Sequence, residues 1–238
     1  MKVQLLMFMR WLHQKIAYRH IVALGDSHAQ IFGHDLFKIY LPFVRFDVCS
    51  VGGATVSGLN NPNSKTATSE IFRNKLKGTP HGTSVIVMLG EVDTGFVIWY
   101  RAEKHGEMVE TMLEKAVRNY RALIEEIASN HKPIVISTPL PTITDDNDWG
   151  EVANLRREVS VSQRERTQLT LRFNAAIKAW CREKGIAYLD LDTESIGEHG
   201  LVSGSLLHDN PRDHHYASKQ YIRLMVPKLR QLLRGENR

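Results

Sequence analysis

The sequence predicts a three-layer α/β/α sandwich, a five-stranded parallel sheet with helices on both faces. Three observations predict it. Short, nearly all-apolar runs alternate about five times with segments of helical periodicity, the order that gives parallel strands joined by crossover helices. The apolar runs suit strands buried on both faces. The length of 238 residues and a hydrophobic content of 42% supply a full core without disulfides or metals.

The elements follow in order. His20-Ile21-Val22-Ala23-Leu24 opens as a buried strand and breaks at Gly25. The chain then restarts as a helix with Ile31, Phe32, Leu36 and Phe37 on one face. Pro42 precedes a second strand over 45–51, and Gly52-Gly53-Ala54-Thr55-Val56-Ser57-Gly58 forms a glycine-rich loop. Such a loop lets backbone N–H groups approach a ligand, and it lacks the spacing of a dinucleotide or phosphate fingerprint. A polar loop over 60–64 leads to a short helix over 68–77, stopped by Gly78 and Pro80. The third strand, 84–89, ends at Gly90-Glu91-Val92-Asp93. A charged pair there lies at the edge where open α/β sheets place their sites, and it also fits ordinary turn and cap chemistry. The aromatic-rich stretch 95–101 suits a pocket wall or core filling.

A long amphipathic helix runs over 107–129, with Met112, Ala116, Tyr120, Leu123 and Ile127 inward. The fourth strand covers 133–138, and a long polar connection over 139–160 carries Asp145, Asp146, Asp148 and Trp149. Ser162 and Glu165 make a capping box for the next helix, which carries Leu169, Phe173, Ile177 and Trp180 and ends at Gly185. The fifth strand is 186–191, a loop covers 197–212, and the last helix runs over 217–233.

The net charge is +5. The basic residues are spread along the chain without interleaved aromatics, so no nucleic-acid groove is expected. Cys49 and Cys181 stand alone, with no zinc or redox spacing, and suit buried thiols in a reducing compartment. Residues 1–19 hold an apolar run only seven residues long, from Val3 to Met9, followed by Arg10, Trp11 and Lys15. That argues against a signal peptide, and no integral membrane segment is expected there. It reads as an amphipathic extension that packs on the body, on a second copy in a homo-oligomer, or on a membrane surface. A domain over 20–238 in the cytoplasm is therefore expected.

The chemistry gathers at two places. Ser27, in Gly25-Asp26-Ser27-His28-Ala29-Gln30, stands where the first strand turns into a helix, amid backbone N–H groups that favour an anion. Ser27 with Gln30 also fits a helix-capping box. At the other end of the chain, Asp213-His214-His215 enters the last helix. A serine hydroxyl needs a histidine to take its proton and a carboxylate to hold that histidine. Ser27 as nucleophile, His215 as base and Asp213 as orienter form such a set. His208, Asp209, Asp213, His214 and His215 also invite a metal reading, but no zinc motif accompanies them, and neither metal nor cofactor is expected.

On these residues the chain resembles the SGNH (GDSL) hydrolase family. Gly25-Asp26-Ser27 matches the first block, Gly53 (or Gly52) the second, Gly90-Glu91-Val92-Asp93 the third and Asp213-His214-His215 the last. The resemblance implies a flavodoxin-like sandwich and a metal-free serine esterase, lipase or carbohydrate O-deacetylase. It places Gly53, Gly52, Asp26, Glu91 and Asp93 around the oxyanion and substrate. Two departures stand out. Val92 occupies the place of the oxyanion-hole asparagine, which leaves the backbone N–H groups of Ser27 and Gly53, with Asn60, Asn61 or Arg101 as further donors. The Asp213-x-His215 spacing is one residue short, so His214 and Asp209 stay open as alternatives. The implied activity is cleavage of an O-acetyl or short acyl ester on a small molecule or carbohydrate. The alternatives are an O-acyltransferase and a non-catalytic ligand-binding module on the same fold.

Overall fold

The structure is a computed structural model that describes residues 19–61, 66–145, 161–210 and 213–235. The expected amphipathic stretch over 1–18 and most of the polar connection, 146–160, lie outside the described residues.

Five strands form one parallel sheet: β1 (Arg19–Gly25), β2 (Val44–Ser50), β3 (Ser84–Met88), β4 (Lys132–Ile136) and β5 (Ala187–Leu189). Their order is β2-β1-β3-β4-β5. In register, Gly25 of β1 sits opposite Ser50 of β2 and Met88 of β3. The helices are α1 (Leu36–Tyr40), α2 (Thr68–Lys77), α3 (Ile98–His105), α4 (Val109–Ala128), α5 (Gln163–Lys184), α6 (Asp192–Ser195) and α7 (Ser218–Gly235). The order reverses at β1, whose crossover to β2 runs one way and whose next neighbour β3 lies on the other side. The crevice outside the C-terminal ends of β1 and β3 is therefore the switch point where such sheets bind ligands.

The strands are apolar throughout because both of their faces are covered. Val22, Leu24, Val85, Val87 and Val135 pack with Phe72 of α2, Tyr120 of α4 and Phe173 of α5. The alternate residues Ile21, Ala23, Ile86, Met88 and Ile134 pack with Phe32, Phe37, Tyr221 and Met225 on the opposite face. This period of two across a continuously hydrophobic run identifies a central strand. Each such aliphatic side chain removed from water contributes about 1.5–3 kcal/mol. The sheet thus carries the stability, and the loops at its edge are left to carry polar groups.

The expected α5 start holds in detail. Ser162 accepts from the Glu165 N–H, the Glu165 carboxylate accepts from the Ser162 N–H, and Gly185 closes the helix in the left-handed region. The expected helix after β1 is different. It divides into a 3₁₀ helix over Ser27–Gly33 and the short α1, because His34 is extended. The stretch 95–101, left without an element above, folds as a π-helical turn over Asp93–Val97 that runs into α3, where the Trp99 indole N–H donates to the Thr94 carbonyl at 2.8 Å. The fifth strand spans only three residues, Ala187–Leu189, paired with Ile134, Val135 and Ile136 of β4. β1 begins at Arg19, inside the expected extension, and its guanidinium donates to the Leu233 carbonyl at 2.6 Å.

Candidate active site

Ser27 is the first residue after the turn at the end of β1. It is not the cap of its helix. Asp26 holds that place, in extended backbone, and its carboxylate accepts the His28 N–H at 2.9 Å. A carboxylate suits a position facing unpaired N–H groups, so the expected Ser27 capping box does not form and the Ser27 side chain is left for another partner. The tight approach depends on Gly25. A Cβ there would lie 2.3 Å from the Met88 carbonyl oxygen and 2.7 Å from the Ala29 Cβ.

The partner of Ser27 is His215, whose Nε2 lies 2.9 Å from the Ser27 Oγ across a separation of 188 residues. Nδ1 of the same ring lies 2.7 Å from Asp213 Oδ1, which also accepts the His215 backbone N–H at 3.0 Å. An ionised carboxylate only accepts, so Nδ1 carries the ring proton and Nε2 presents its lone pair to the serine. Burial alone would raise the Asp213 carboxyl. The two hydrogen bonds from His215, with the charges of His215 and His208, outweigh it and hold the group below its ordinary value. His208 Nε2 is 3.7 Å from the second carboxylate oxygen.

The loop that carries these residues is pinned. The Thr142 hydroxyl donates to the His214 carbonyl at 2.7 Å, and the Leu140 N–H donates to the buried Tyr216 hydroxyl at 2.7 Å. The short Asp213-x-His215 spacing is therefore enough: an aspartate whose carboxylate closes on the N–H two residues ahead reaches that residue's ring as well. His214 and Asp209, open above as alternatives, have no place in the Ser27–His215–Asp213 line. A groove of about 440 Å³ opens over Ser27, lined by His28, His34, His208, Asp213, His215 and Tyr216 among others.

The other expected site residues sit apart from that line. Gly52 and Gly53 are exposed, with Gly53 at a φ of +69°. Their loop is tied at one end by the Val51 N–H donating to the Gly25 carbonyl at 2.9 Å. At the other end the Val56 and Ser57 N–H groups donate to the Asp93 carboxylate at 2.6 and 2.9 Å. Asp93 is fully buried, and burial pushes its carboxyl up to about 6 despite those bonds and the charge of Arg101. It braces the glycine-rich loop from below. Asp26 and Glu91 are likewise buried, and Asp26 is engaged by His28. Val92 has no side-chain donor. Asn60, offered above as a substitute, donates to Asn119 of α4 at 2.9 Å. Gly90 is required where it stands, at a φ of +121° with the Phe173 ring 2.7 Å from where a Cβ would be.

One residue of the site went unread in the sequence. His28 is buried beside Ser27, its Nδ1 lies 3.2 Å from Asp26 Oδ1, and its ring centroid is 4.6 Å from that of His215. The available signal was that Asp26-Ser27-His28 repeats the spacing of Asp213-His214-His215.

No family model matches the chain. No curated protein matches it either. Solved structures do. A GDSL-like lipase from Bacteroides thetaiotaomicron is 15% identical, with a TM-score of 0.59 over 92% of this chain and 89% of that one. An acetyl xylan esterase is 15% identical, with a TM-score of 0.57 over 90% and 98%. A carbohydrate acetylesterase family member from Sinorhizobium meliloti is 12% identical, with a TM-score of 0.60 over 91% and 98%. Among the described residues no helix is long and apolar enough to cross a membrane. With its 2-1-3-4-5 parallel sheet between two helical layers, the chain has the fold of the SGNH, or GDSL-type, hydrolases.

Proposed function

We propose that the chain is a serine esterase that removes an acetyl or other short acyl group from a carbohydrate ester, with Ser27, His215 and Asp213 as its catalytic residues. The observation that carries this reading is the hydrogen-bonded line from the Ser27 Oγ through both nitrogens of His215 to Asp213. As the Ser27 Oγ bonds to the ester carbonyl carbon, its proton passes to His215 Nε2. The tetrahedral intermediate then expels the sugar oxygen, which takes that proton, and an acyl-enzyme remains. Water attacks the acyl carbon with His215 again as base. The acid leaves, and the proton returns to the Ser27 Oγ. Asp213 stays ionised throughout, in keeping with its depressed carboxyl.

The backbone N–H groups of Ser27 and Gly53 are the donors assigned to the oxyanion. One such donor is worth roughly 10²–10³ in rate, so the valine at position 92 reduces the rate of an esterase without abolishing the mechanism. The acyl and carbohydrate preferences draw support from the acetyl xylan esterase and the carbohydrate acetylesterase among the structural neighbours. A groove of about 440 Å³ is of a size for a small ester.

The test is reaction with a fluorophosphonate, read by intact mass, together with turnover of 4-nitrophenyl acetate. Wild type is expected to gain one adduct and Ser27→Ala none, with turnover lost in parallel. An unlabelled but folded wild type would overturn the esterase reading in favour of a ligand-binding module, the role that Val92 would suit.

A further inference from the structure

We propose that His28, His214 and His215 form a binding site for a late first-row divalent cation such as Zn²⁺, and that metal and activated serine are mutually exclusive states of this protein. One potential ligand atom from each of the three histidines lies within 4.8 Å of the others. The three rings pack on one another, with the His214 and His215 planes 34° apart. His28 meets His214 edge-on with centroids 5.6 Å apart, His28 lies 4.6 Å from His215 at 50°, and His214 lies 4.2 Å from His215. Three nitrogens held tetrahedrally at Zn–N distances of about 2.0–2.1 Å stand about 3.4 Å apart, so small side-chain rotations close the set.

The surroundings fit the chemistry. Metal-binding histidines characteristically give their second nitrogen to a carboxylate, which fixes the tautomer and makes the ligand nitrogen more basic. Two of the three do so here: Asp26 lies 3.2 Å from His28 Nδ1, and Asp213 lies 2.7 Å from His215 Nδ1. Nε2 is then the metal-binding nitrogen of each ring. Three imidazoles without a carboxylate oxygen favour zinc, copper or nickel over magnesium and calcium. The groove over Ser27, which His28 and His215 line, provides access.

The exclusion follows from one atom. His215 Nε2 has a single lone pair, which faces the Ser27 Oγ at 2.9 Å. Once it ligates a metal it cannot take the serine proton. Bound metal therefore switches the nucleophile off, and a chelator restores it. This consequence rests on the esterase reading above, whereas metal binding itself does not.

The experiment uses the full chain, stripped with a chelator and then titrated with Zn²⁺ against a chromophoric chelator. Wild type, His214→Ala and His28→Gln are compared, with folding checked by circular dichroism. Wild type is expected to bind one equivalent at least tenfold more tightly than either variant. In parallel, Zn²⁺ slows fluorophosphonate labelling of wild type over the same concentration range, and EDTA reverses the effect. His214→Ala, outside the Ser27–His215–Asp213 line, labels at the wild-type rate without metal and needs at least tenfold more Zn²⁺ to be slowed. No binding by wild type, or equal binding by wild type and His214→Ala, overturns the site. Binding that leaves labelling untouched overturns the exclusion. Failure of metal-free wild type to label refutes the esterase reading alone, because the binding titration still decides the site.

Discussion

Two Asp-x-His segments meet at this groove, and they are built alike. In each, the aspartate carboxylate accepts the N–H of the residue two ahead, at 2.9 Å in Asp26–His28 and 3.0 Å in Asp213–His215. In each, the same oxygen also faces Nδ1 of that residue's ring, at 3.2 and 2.7 Å. Their settings differ. The side chains of His28 and Asp26 are 3% and 2% exposed, whereas those of His215 and Asp213 are both 33% exposed. Beyond the second ring lies a hydroxyl at 2.9 Å. An Asp-x-His turn is thus a local device for orienting an imidazole. What the imidazole then does is decided by long-range packing, which buries one copy under the Ser27 turn and aims the other at it.

The comparison breaks most visibly if the exposed pair is not the working one. Replacing His215 with Ala is expected to lower kcat on 4-nitrophenyl acetate on the order of 10⁶-fold, as is Ser27→Ala, since such residues act as a unit. A loss below about a hundredfold in both would remove these side chains from the chemistry. Next in size is the orienting carboxylate. Asp213→Asn offers the ring a donor where it needs an acceptor, and kcat should fall by roughly 10⁴ with the unfolding midpoint nearly unchanged. Asp26→Asn, which keeps the helix cap, should cost less than about tenfold in kcat. Equal losses would erase the distinction between the pairs.

The buried pair should instead declare itself in stability. Asp26→Ala removes the cap and an acceptor for the buried His28 N–H, and urea unfolding should report a loss of about 1–3 kcal/mol. The smallest effect concerns acid. The Asp213 carboxyl lies below its ordinary value of 3.8 in the folded chain. Its contribution to stability is therefore complete above that value and is lost as pH falls through the depressed one. His215→Ala returns the carboxyl toward its ordinary value, so melting temperatures recorded from roughly pH 5 to pH 2 should fall less steeply in the variant than in wild type. Parallel curves would mean that His215 does not set the carboxyl's affinity for protons.

The layers were legible in the sequence because local signals carry them. Val22, Leu24, Val85 and Val87 read as buried strands, Ser162 with Glu165 as a helix start and Gly185 as its end. Ser27, Asp213 and His215, grouped in the sequence by the chemistry they could share, are brought into one hydrogen-bonded line. What escaped was settled by competition or by distance. Ser27 with Gln30 satisfies a capping pattern, but a carboxylate one residue earlier accepts the His28 N–H instead. The fold carries Asp93 from a turn after β3 to backbone donors in a loop 37 and 36 residues away, so a charged residue at the C-terminal edge of the sheet became a buried brace. Nothing local marks the π-helical turn at Asp93–Val97, which depends on its packing against α5.

The span of 188 residues between the Ser27 Oγ and His215 Nε2 has a consequence for what the site requires. Ser27 directly follows β1 and His215 directly precedes α7, so their contact needs both ends of this fold in place. A chain without residues 213–215 lacks the imidazole that faces the Ser27 Oγ. On the esterase reading, covalent labelling at Ser27 reports that this long-range contact has formed.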